Sequence, residues 1–85
     1  MRSVVAVENG VVEVNWTWLP TFIGMNSLVK AELEKELATK IEGRILDDAT
    51  LDMAHDLVVK FLEYKFPSIK GMDAYLDALK YVYYT

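Results

Sequence analysis

The residues of this chain that could carry chemistry are few, and they gather around its single histidine. His55 is the one side chain whose ordinary pKa places a charge change near neutral pH. Asp52 lies three residues before it, on the same face of any helix that holds both, and Asp47, Asp48 and Asp56 are close in sequence. An Asp-x-x-His pair can orient an imidazole, or offer an oxygen and a nitrogen to a divalent metal. The plainer reading is the stronger one. Acidic residues at a helix start cap free amides and offset the macrodipole with no catalytic role. A histidine on the polar face of such a helix is simply solvated. No catalytic residue, metal ligand or cofactor is therefore assigned.

Nucleophilic catalysis has less support still. Ser3, Ser27 and Ser68 fall at a strand start and at turns, and none has a Gly-x-Ser-x-Gly setting. The chain has no cysteine, which excludes disulfides, thiolate zinc sites and cysteine nucleophiles together. Gly24 and Gly71 are isolated, so no glycine-rich phosphate loop exists. These exclusions point away from an enzyme.

A different feature stands out between residues 14 and 29, where no charged residue occurs. The stretch holds Trp16, Trp18, Leu19, Phe22, Ile23 and Met25. Tryptophan, phenylalanine and methionine are enriched at the centres of protein interfaces. A chain this short also needs its large apolar groups for a core. Both uses are open to the segment, and these six residues are the candidate partner surface. Tyr81 and Tyr84 join them, because on a C-terminal helix they fall on the side opposite Leu79 and Val82. Terminal tyrosines either close the edge of a core or extend a contact surface.

The elements that must position these groups can be read from pattern. Asn9-Gly10 is the preferred pair for a two-residue type I′ turn, since both positions need positive φ. That turn sets Glu8 opposite Val11, Val7 opposite Val12, Val5 opposite Val14 and Ser3 opposite Trp16, a hairpin over residues 3–18. Val5, Val7, Val12, Val14, Trp16 and Trp18 then share one face, and Val4, Ala6, Glu8, Val11 and Glu13 share the other. An apolar loop follows over 19–26. Three amphipathic helices come next, over about 27–42, 50–65 and 72–83. Asn26 or Ser27 caps the first helix and Gly43 ends it; its stripe is Val29, Leu33, Leu37 and Ile41, with Ala38 beside them. Asp48 or Thr50 starts the second, whose inner face is Leu51, Ala54, Leu57, Val58, Phe61 and Leu62. Pro67 stops it. Met72, Tyr75, Leu76, Leu79 and Val82 form the inner face of the third. Arg44-Ile45-Leu46 reads either as a short extra strand or as an apolar connection.

The fold class is thus α+β: an N-terminal hairpin packed against three helices, in the order ββααα. The 85 residues, 53% of them hydrophobic and 26% charged, suit one folded domain rather than a disordered chain. Net charge is −4, with lysines interleaved among acids and no basic run. Nucleic acid is disfavoured, because phosphate binding needs a basic patch. The longest uncharged run contains Asn15, Pro20, Gly24 and Asn26, so no transmembrane segment is expected. Glu8 ends the apolar run Val4–Val7 too early for a signal peptide. Without disulfides, a cytoplasmic location is expected. The function this favours is a small non-enzymatic protein–protein interaction module, acting as a structural, adaptor or inhibitory protein. It would self-associate, as a homodimer or higher, through an open hairpin edge or the aromatic loop. A nucleic-acid-associated regulator, and a metal protein or enzyme centred on His55 and Asp52, are the alternatives.

Overall fold

Two left-handed residues set the first element. Asn9 and Gly10 adopt φ of 54° and 76°, the pair of positive values that a type I′ turn requires. They join β1 (Val5–Glu8) to β2 (Val11–Val14) in antiparallel register, with Val5 opposite Val14, Ala6 opposite Glu13, Val7 opposite Val12 and Glu8 opposite Val11. The computed structural model describes residues 4–80, without the side chains of Trp18, Ala78 and Lys80. Ser3 is outside that range. Val5, Val12 and Val14 are buried, Val7 packs partly against them, and Glu8, Val11 and Glu13 face solvent. Val4 departs from the expected alternation and is fully buried. It lies in a bend just before β1, where the regular strand and its two-residue period have ended.

The hairpin is shorter than expected. Its last rung is the Asn15 amide donating to the Val4 carbonyl at 3.0 Å. The chain then leaves the sheet in a 3-10 turn, Trp16–Trp18, closed by the Leu19 amide on the Trp16 carbonyl at 3.2 Å. The two tryptophans are therefore not strand residues, and alternation does not place them. The apolar loop is also more ordered than expected: a single helical turn, α1 (Thr21–Gly24), follows Pro20. Leu19 and Ile23 flank its start and centre and enter the core.

Helix α2 (Ser27–Ile41) begins at Asn26, whose Oδ1 accepts from the Val29 amide at 3.2 Å. Leu33 and Leu37 are buried, with Val29 and Ile41 packed at either end of the stripe, whereas Ala38 is exposed. Gly43, at φ 73°, terminates it in the left-handed conformation that favours glycine. Residues 44–46 form no strand. The Arg44 amide bonds the Ile41 carbonyl and the Asp47 amide bonds the Ile45 carbonyl, so local turns use the groups that a ladder would need. Ile45 and Leu46 stay exposed.

Helix α3 (Asp48–Lys65) is capped by Asp47, one residue before the expected start, with the Thr50 amide donating to Asp47 Oδ1 at 2.9 Å. Thr50, the other expected start, is instead the third residue of α3, buried on the inner face with Ala54, Val58, Phe61 and Leu62. Leu51 and Leu57 flank that face, half-buried. Hydrogen bonds from the Thr50 amide and hydroxyl hold the Asp47 carboxyl below the usual carboxylate range. A carboxyl depressed by folding contributes stability above its unfolded pKa, near ~4, and loses it as pH falls through the folded value. Asp47→Asn keeps the cap acceptor but cannot titrate. The stability gap between parent and Asp47→Asn is therefore expected to close as pH drops below about 4 in thermal melts. A gap that does not change with pH would contradict this.

Past Phe66, the 3-10 turn Pro67–Gly71 buries Ile69 and leads into α4, Asp73–Lys80 among the described residues. Met72, Tyr75 and Leu79 lie at i, i+3 and i+7 and face the core. Leu76, expected inside, is 100° round the helix from Tyr75 and is exposed. The remainder of this helix as expected, with Tyr81, Val82, Tyr83 and Tyr84, lies outside the described residues. One continuous cluster joins the inner face of the hairpin to Leu19, Ile23 and the long helices. Lys65 reaches Glu32 at 3.5 Å across α2 and α3, an exposed pair that adds little stability.

Candidate functional site

The uncharged stretch runs from the end of β2 into the first turn of α2, and the fold sorts it residue by residue. Leu19 and Ile23 are taken inside and offer no surface. Phe22 and Met25 are 45% and 77% exposed. Leu28, the second residue of α2, is 83% exposed and continues the same three-residue spacing. Sequence reasoning passed over it. The available signal was an apolar residue lying off the Val29–Leu33–Leu37–Ile41 stripe. Phe22 is anchored by an edge-on contact with Phe66, ring centroids 5.6 Å apart at 76°. The α1–α2 junction therefore exposes Phe22, Met25 and Leu28, and Phe66, from the end of α3, packs against the first of them.

Trp16 has a separate role. It is half-buried, and its Nε1 donates to Glu34 Oε1 at 3.1 Å. Lys30 Nζ sits 5.5 Å from the centroid of its ring. Lys30 and Glu34 are i,i+4 neighbours on α2, so one helix face supplies both the ammonium and the carboxylate. A groove of about 340 Å³ opens there, lined by β2 on one side and by Trp16, Lys30, Glu34 and Ala38 on the other. Glu13, from β2, is a second acidic residue in its lining.

The remaining expected site residues are quickly placed. The Trp18 side chain, Tyr81 and Tyr84 lie outside the described residues. His55 is half-buried with its Nε2 shut off from solvent, rather than standing on a solvated face, while Asp52 is exposed. Asp47 is engaged as a helix cap. Among the described residues, no group of three or more histidine, cysteine, aspartate or glutamate side chains could hold a metal ion. No helix among them is long and apolar enough to cross a membrane.

Family models, curated proteins and solved structures were compared with the chain, and none matches. The described surface shows exposed apolar groups at the α1–α2 junction, and one indole held between a carboxylate and an ammonium.

Proposed function

We propose that the chain is a small non-enzymatic protein–protein interaction module that self-associates through the α1–α2 junction. The observation that carries this is the exposure of Phe22, Met25 and Leu28 within a stretch of chain that has no charge. Fully burying an exposed methionine or leucine side chain stabilises by about 1.5–3 kcal/mol, so Met25 and Leu28, with the open part of Phe22, supply a driving force. A second copy is the partner that this uncharged stretch suits. With a net charge of −4, two copies repel each other overall, and the chain from Val14 to Val29 adds no charged side chain to that repulsion.

The β2 edge of the hairpin is a weaker route to a dimer. The Asn15–Val4 bond fixes which rungs are hydrogen-bonded, so the backbone groups of Val12 and Val14 point outward from β2. Pairing two copies through both residues sets Glu13 opposite Glu13, and like charges directly opposed destabilise a sheet. Val12 and Val14 are also almost entirely buried. A structural, adaptor or inhibitory role is compatible with the junction surface, and the lack of cysteine fits a reducing, cytoplasmic setting.

The test replaces Met25 and Leu28 together by glutamate. Both are exposed, so the unfolding free energy should change by no more than about 0.5 kcal/mol per site. Association, followed by size-exclusion chromatography with light scattering, should be lost. A variant that assembles as the parent does would sink the proposal.

A further inference from the structure

We infer that the groove between β2 and α2 receives the side chain of an arginine from a partner peptide. This goes beyond self-association, since the groove shares no lining residue with the Phe22, Met25 and Leu28 surface. Three features converge on a cation. The Trp16 ring already has one over it, Lys30 Nζ at 5.5 Å, which shows that its face is reachable by a positive charge. The indole cannot swing freely, because its Nε1 is tied to Glu34. Two acidic residues, Glu13 and Glu34, line the groove against one basic residue, Lys30, in a chain whose net charge is −4. The local balance is negative, and a basic partner complements it.

Arginine fits better than lysine for geometric reasons. A guanidinium is planar, so it stacks on an indole while its edge donates to a carboxylate, and it sheds water more easily than an ammonium. Val12, Val14, Leu37 and Ala38 supply apolar lining for the methylene stem that precedes it. Lys30 is then an internal competitor that occupies the ring until the arginine displaces it. A purely structural lysine would not compete in this way.

The experiment uses the full chain and a short capped peptide holding one arginine among glycines and serines. A matched peptide carries citrulline, which has nearly the same shape and no charge. The readout is the indole N–H resonance of Trp16 in a nitrogen-15 correlation spectrum, assigned with Trp16→Phe. The arginine peptide should shift that resonance saturably, and the citrulline peptide should bind on the order of tenfold more weakly or not at all. Lys30→Met should tighten arginine binding roughly two- to fivefold. Glu34→Gln, which keeps an acceptor for the indole but not the charge, should weaken it by a similar factor. If Trp16→Phe fails to fold, the Lys30 and Glu34 variants still decide the matter, because neither residue belongs to the core. Equal shifts with both peptides, no shift with either, or unchanged or weaker binding by Lys30→Met would overturn the inference.

Discussion

Ile23→Ala is expected to lower the unfolding free energy by about 3–4 kcal/mol, while Phe22→Ala, one residue away, costs only about 1 kcal/mol. The neighbours differ because α1 turns one inward and one outward. Ile23 is fully buried, so truncating it loses transfer energy and leaves a cavity that the surrounding helices only partly fill. Phe22 is nearly half exposed, and what it loses is its edge-on contact with Phe66. Denaturant unfolding at constant m-value measures both. The Ile23 loss would be a large share of the ~5–15 kcal/mol that holds a small domain together. Comparable costs at the two positions would mean that α1 does not sort them as described.

Tyr75 is expected to give the second large effect. It is 1% exposed, and its hydroxyl donates to Glu63 Oε2 at 2.9 Å, tying α4 to α3. Tyr75→Ala should cost about 3–5 kcal/mol, as for other buried aromatic residues, and release α4 from the core. Tyr75→Phe keeps the ring and removes only the hydrogen bond, for roughly 1–2 kcal/mol. The two variants also separate on the alkaline side. Burial, then the hydrogen bond to Glu63 and its charge, push the Tyr75 phenol well above its ordinary value. A raised phenol means that the folded state holds its proton longer than the unfolded chain does. Its contribution is therefore complete below pH ~10 and declines as pH rises past that value. The advantage of the parent over Tyr75→Phe should shrink in melts above about pH 10. An advantage that holds steady or grows there would contradict the burial of the hydroxyl.

Much of the fold was legible because local chemistry and side-chain pattern agree. Asn9-Gly10 fixes the turn, the turn fixes the register, and the register puts Val5, Val12 and Val14 inside. The same holds for α2, where Asn26 caps and Gly43 terminates. What was not legible depends on partners distant in the chain. Nothing local says that the ladder ends at Asn15, because Trp16 and Trp18 continue the alternation perfectly well. The turn there goes with a bond from Trp16 to Glu34, eighteen residues away. Residues 44–46 were ambiguous for a related reason: a short apolar run suits a strand or a connection, and only a free ladder edge decides between them. At the candidate surface, Phe22 and Met25 could be named from composition, but their separation from Leu19 and Ile23 needed the single turn of α1. Leu28 needed the orientation of α2.

Self-association through the α1–α2 junction, as proposed above, makes the assembly depend on concentration. Sedimentation velocity of the unmodified chain, from low to high micromolar concentration, tests it most directly. The weight-average sedimentation coefficient should rise with concentration toward that of a dimer or larger assembly. A single monomeric boundary, unchanged over the whole range, would contradict it.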